Sequence, residues 1–173
     1  LFSLKGNKGI GLEFYTPFQK FWDNSVTAPS TFSSIEVVAT EDNTTVLITP
    51  RASIVGHLQD ATFSVVLQSG ETYSARDVNV SAVSSLAGSI VSANKPISVT
   101  VFSGALSNAG CNSSVGDQLV SRDYLGKDFI IKKSTATNER VYVLATENTT
   151  FIDITNSGTA STLINWGETY ELP

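Results

Sequence analysis

The chain has 173 residues, 41% of them hydrophobic and only 16% charged, with a net charge of −5 and a pI near 4.8. Its 11 Lys and Arg are scattered apart from Lys132-Lys133, so the clustered cations that a nucleic-acid partner requires are missing. No apolar run approaches the ~20 residues of a membrane-spanning helix, and the single cysteine, Cys111, cannot close an intrachain disulfide.

Met is absent, so Leu1 is expected to begin a processed product or a piece of a longer chain. Ser, Thr and Asn fill the polar positions that Lys and Glu usually hold, a balance common on β-rich extracellular modules and unfavourable to long surface helices.

Taken in order, residues 1–32 hold one strand around 10–15 and then an irregular aromatic arm with Phe14, Tyr15, Phe18, Phe21 and Trp22. Pro17 opposes a long helix there. The aromatics are expected to plug one end of the fold, although an exposed stacking platform for sugars is the other reading. Residues 33–103 form a first β repeat of three hairpins. Segments 33–40 and 45–49 flank Glu41-Asp42-Asn43, and segments 61–68 and 72–78 flank Ser69-Gly70-Glu71. Segments 88–93 and 97–103 flank Asn94-Lys95-Pro96. Within the last of these, Ile97, Val99 and Val101 alternate with Ser98 and Thr100, a half-buried strand pattern.

Residues 104–132 read as a long Gly/Ser/Asn loop to Gly116, a short helix or 3-10 turn near 121–125, and a strand at 129–132. Residues 133–173 hold a second repeat. Ala39-Thr40-Glu41-Asp42-Asn43-Thr44-Thr45-Val46 returns as Ala145-Thr146-Glu147-Asn148-Thr149-Thr150-Phe151, and Leu67-Gln68-Ser69-Gly70-Glu71-Thr72-Tyr73 as Ile164-Asn165-Trp166-Gly167-Glu168-Thr169-Tyr170. Hairpins over Glu147-Asn148 and Trp166-Gly167-Glu168 follow. No counterpart of the third hairpin precedes Pro173, so a neighbouring segment is expected to complete this sheet. The fold class is therefore all-β, an antiparallel β-sandwich of two related units forming one compact domain of a larger protein.

Catalytic chemistry is not legible. His57 has no Gly-x-Ser-x-Gly partner and reads as a linker residue, and its pairing with Cys111 has no support in spacing. One Cys and one His exclude a closed zinc site, and no Asp-x-Asp-x-Asp-Gly calcium loop occurs. Glu71 and Glu168 sit at equivalent turns and read as turn residues rather than a glycosidase pair. Gly6-Asn7-Lys8-Gly9-Ile10-Gly11 lacks the helix that a phosphate loop needs. Sequons stand at Asn43, Asn79, Asn112 and Asn148, as a chain this rich in Asn, Ser and Thr also produces by composition. No cofactor and no metal is expected.

The remaining polar cluster joins the repeats: Gly116-Asp117-Gln118-Leu119-Val120-Ser121-Arg122-Asp123. Amide, carboxylate and guanidinium groups converging there suit a glycan or peptide ligand, with Asn112, Asp117, Gln118 and Arg122 as the candidate ligand-binding residues. The competing reading is an Arg122–Asp ion pair that clamps the repeats together.

Several of these stretches resemble the N-terminal domain family of the IgGFc-binding protein. They are 38–46, 67–73, 88–99, Gly116-Asp117-Gln118-Leu119 and Phe14-Tyr15-Thr16-Pro17-Phe18-Gln19. The similarity spans essentially the whole chain and is closer to the bacterial branch, because Gly116-Asp117-Gln118-Leu119 stands where vertebrate members carry Cys-Asp-His-Leu. What the resemblance implies is a non-enzymatic module of a large extracellular or cell-surface bacterial protein. In Bacteroidetes-type relatives it implies a link to adhesion or gliding motility. Its partner would be a protein or glycan on a surface, or neighbouring domains of the same chain. A stalk or filament segment is the alternative, a carbohydrate-active enzyme a remoter one, and neither nucleic acid nor membrane insertion is expected.

Overall fold

The computed structural model describes residues 5–25, 31–108, 111–132, 139–155 and 159–173. They form two compact units, residues 1–125 and 126–173. Among the described residues every regular element is a β-strand or a 3-10 turn, and all strand pairs are antiparallel.

The first unit opens with a 3-10 turn, Gly6–Gly9, and strand β1 (Ile10–Tyr15). Strands β2 (Ser33–Ala39), β3 (Thr44–Thr49), β4 (Phe63–Leu67) and β5 (Thr72–Arg76) follow, then β6 (Ile90–Asn108) and β7 (Cys111–Gln118). They make one seven-stranded sheet with the order β4-β3-β6-β2-β5, to which β1 and β7 add through β6. The sheet curls until it is nearly closed, barrel-like, in place of the expected sandwich of two facing layers. Closure lets one sheet supply its own interior. Phe14, Ile35, Val37, Ile48, Ile97 and Val99 are all fully buried there.

The strand positions match the sequence expectation better than the pairings do. Residues 33–40 and 45–49 form no hairpin with each other: β2 and β3 both run antiparallel to β6, and Glu41-Asp42-Asn43 steps the chain sideways without reversing it. Likewise β4 pairs with β3 and β5 with β2, so residues 33–49 and 63–76 make one long ribbon interrupted at the two turns. Positive φ at Asn43 (54°) and Gly70 (80°) makes those side-steps.

The third expected hairpin is also absent. Residues 90–108 run as a single 19-residue strand straight through Asn94-Lys95-Pro96. Proline is tolerated because β6 changes partner there, from β3 up to Ala93 to β2 from Ile97 onward, so no ladder asks for the missing N–H. The pairing of β1 with β6 bulges at the same place, between Gly11 and Glu13. Nor are residues 104–116 a long loop. β6 and β7 pair from Thr100↔Gln118 to Asn108↔Cys111, with a bulge between Ser103 and Leu106 that carries Ala105 at φ 36°.

The aromatic arm divides. Phe14 and Phe18 are buried, whereas Phe21 is exposed and meets Trp22 edge-on at 4.9 Å. A buried polar network anchors the arm: Asn24 donates to the Gly104 carbonyl at 2.6 Å, and Ser33 donates to Asn24 at 3.0 Å.

The second unit holds β8 (Tyr142–Leu144), β9 (Thr150–Thr155), β10 (Thr159–Ile164) and β11 (Thr169–Glu171), paired as β9 with β10 and β8 with β11. No strand forms at residues 129–132; Phe129 and Ile130 are exposed instead.

The two ribbons share their turn chemistry bond for bond. Gly70 and Gly167 donate to Ala39 and Ala145 at 2.8 and 2.9 Å, and Ala39 and Ala145 donate to Glu71 and Glu168 at 3.1 and 3.0 Å. Glu71 and Glu168 carboxylates accept from Gln68 N and Asn165 N at 2.7 and 2.6 Å, which is what these glutamates do. Thr44 and Thr150 hydroxyls donate to the Glu41 and Glu147 carbonyls at 2.6 and 2.7 Å. The registers agree as well, Thr45↔Val66 answering to Phe151↔Leu163 and Val37↔Tyr73 to Val143↔Tyr170.

Candidate functional site

The polar cluster lies where the end of β7 meets the start of the chain. Leu119 N donates to Val99 O at 2.8 Å and Ser121 N to Lys8 O at 2.9 Å, carrying the backbone into the 3-10 turn Arg122–Tyr124. That turn lies within the 121–125 window expected from sequence.

Each candidate side chain there meets a residue of the first fifteen. Gln118 accepts at Oε1 from Lys5 N (2.9 Å) and donates from Nε2 to Ser98 Oγ (2.9 Å). The Asp117 carboxylate takes the Lys5 ammonium at 2.8 Å. Arg122 reaches both Glu13 oxygens with one nitrogen, at 3.1 and 3.3 Å, and Tyr15 donates to the same carboxylate at 2.7 Å. Arg122 thus pairs with Glu13, and that pair ties β1 to the turn after β7. Asp117 and Arg122 remain 44% and 43% exposed, so these pairs face solvent and each is worth about 0–1 kcal/mol. The backbone of Asn112 lies in β7, but its side chain is outside the described residues, as is that of Cys111.

Lys5, Glu13 and Ser98 were not visible as site residues, because ordinary polar side chains far apart in sequence carry no spacing signal. The glycines were a signal. A Cβ on Gly9 would sit 2.7 Å from Gln118 Cδ, and one on Gly11 would sit 2.3 Å from Ser121 Cβ. What resembles a broken phosphate loop is a strap that must lie flat against β7 and the turn after it. The Gly6–Gly9 turn is followed by a strand and no helix. Gly11→Ala is expected to cost about 1–3 kcal/mol, because Ser121 is buried and overpacking has no outlet. A urea melt of that variant within about 0.5 kcal/mol of wild type would mean the strap is loosely held.

Elsewhere the candidates take structural roles. His57 stacks on Phe63 with centroids 3.5 Å apart. Among the described residues no three or more His, Cys, Asp or Glu gather as a metal site, and no helix is long and apolar enough to cross a membrane. Asp77 is a strongly perturbed acid. It is 5% exposed, and burial pushes its carboxyl up to about 6 despite hydrogen bonds from Asn79 and Val78.

Fold and cluster together define an all-β antiparallel module whose N-terminal strap is bonded to its β6–β7 hairpin. Within that class the chain belongs to the family described as IgGFc binding protein, which matches residues 3–173. No curated protein and no solved structure matches it.

Proposed function

We propose that this chain is a non-catalytic binding module of a large bacterial cell-surface protein, extracellular and serving adhesion or, as in the Bacteroidetes-type branch it resembles, gliding. The observation that carries this reading is the family match across residues 3–173, whose name speaks of binding a protein. The ligand, a protein or a glycan, would meet the outer edge of β7 and the turn after it, through Asn112, Asp117, Gln118 and Arg122. Partial exposure of Asp117 and Arg122 supports this, since both remain reachable while Lys5 and Glu13 hold their positions. The segments 1–32, 33–103, 104–132 and 133–173 would be parts of one domain, the second and last descending from a duplicated unit.

The test is a double substitution, Asp117→Ala with Arg122→Ala. Two solvent-facing pairs contribute little to stability, so the melting temperature should fall by only a few degrees. Binding to whichever member of a protein or glycan array the wild-type chain captures should drop at least tenfold. Equal capture by both proteins would remove this face as the binding surface. A stalk or filament role is the second reading, favoured by the one-sided pairing of β8 and β9 among the described residues.

A further inference from the structure

The two ribbons differ in one respect. In the first unit the edge formed by β2 and β3 is covered along its length by β6. In the second, among the described residues, β8 pairs only with β11 and β9 only with β10, so the corresponding edge carries no strand. Burial follows the same division. Val37, Val46 and Ile48 are fully buried, while Val143, Ile152 and Ile154, which hold the same register positions, are only partly buried.

What covers the first edge is chemically specific. Asn94 Oδ1 accepts from Thr45 N at 2.8 Å. The Pro96 carbonyl accepts from Thr40 N at 3.2 Å and from the Thr40 hydroxyl at 2.6 Å. The Lys95 ammonium donates to the Asp42 carbonyl. Asn-Lys-Pro thus reads the step between β2 and β3, and the alternating Ile97, Val99 and Val101 then pack into the interior. Every group that it reads has a counterpart in the second unit, in a turn that makes the same internal bonds. Phe151 N stands for Thr45 N, Thr146 for Thr40, and the Asn148 carbonyl for that of Asp42.

We infer that the β8–β9 edge is a strand-acceptor site. Its occupant is an extended segment of the β6 type, Asn-Lys-Pro followed by β-branched residues alternating with Ser or Thr. The strand would run antiparallel to β8 and β9. Its asparagine would bond Phe151 N, and its proline carbonyl would bond Thr146. Backbone ladder bonds give such a site affinity, and the reading of the step gives it register. Specificity comes from the proline too, because a strand carrying it fits only where the partner ladder is interrupted. This inference is independent of the β7 ligand surface, and either can fail alone.

The probe is a synthetic peptide of residues 90–103, added in excess to the 173-residue chain, with backbone amide exchange as the readout. Exchange at residues 142–144 and 150–155 should slow at least tenfold, while β2 and β3 stay unchanged. A peptide carrying Asn94→Ala should bind at least tenfold more weakly. In the protein, Phe151→Pro should have the same effect. By register its N–H faces away from β10, so the β9–β10 ladder survives, as an unchanged β-sheet circular dichroism signal would verify. No slowing at millimolar peptide, or equal slowing by a scrambled peptide, overturns the assignment. Slowing that appears with protein concentration and without peptide also overturns it, and points to a second copy on this edge.

Discussion

Phe14→Ala should destabilise the first unit by about 3–5 kcal/mol, the usual cost of emptying a fully buried aromatic site. Phe14 is 0% exposed and lies on β1 opposite Val91, inside the cluster that includes Ile35, Val99 and Leu119. Its ring joins the strap to the interior, whereas the ion pairs at Asp117 and Arg122 join it at the surface. A loss of this size is a large share of the roughly 5–15 kcal/mol that holds a domain folded. It should move the urea midpoint well to the left with the slope kept. A shift worth under 1 kcal/mol would place the ring outside the core. Comparing it with the double Asp117, Arg122 variant weighs apolar burial against surface charge on one strap, and burial should win severalfold.

Asp77→Asn should stabilise the protein at pH 7 by up to about 3 kcal/mol, given ~1.4 kcal/mol per pK unit. The sign follows from burial. The folded state raises the carboxyl from 3.8 to about 6, so between those values the folded chain binds more protons than the unfolded one. Stability from this group is greatest below pH 3.8, falls as pH rises toward 6, and is flat above that. The amide replacement has no such slope, and its oxygen can still accept from Asn79 N, a 2.8 Å bond in the native chain. The two proteins should therefore converge near pH 4, separate between pH 4 and 6, and stay a constant distance apart above that. Parallel stability curves across that window would mean Asp77 is solvated.

Much of the local structure was legible. The strand at 10–15, the alternation of Ile97, Val99 and Val101, the glutamate turn residues and the 3-10 turn near Arg122 all follow from patterns a few residues long. Of the candidate cluster, only the side chains themselves were legible. Asp117 and Gln118 both meet Lys5, Gln118 also meets Ser98, and Arg122 meets Glu13, partners that nothing in their neighbourhoods marked.

By itself the sequence determined that the chain is all-β, where many of its strands lie, and that two stretches carry the same turn chemistry, because backbone propensity and turn residues act over short range. Only the tertiary structure decided which strand pairs with which. A Gly- or Asn-containing turn can reverse a strand or merely step it aside, and the choice at Glu41-Asp42-Asn43 is made by β6, some fifty residues away. The change of partner along β6, from β3 to β2, lets Pro96 sit mid-strand, and β6 gives the first ribbon a cover that the described part of the second lacks.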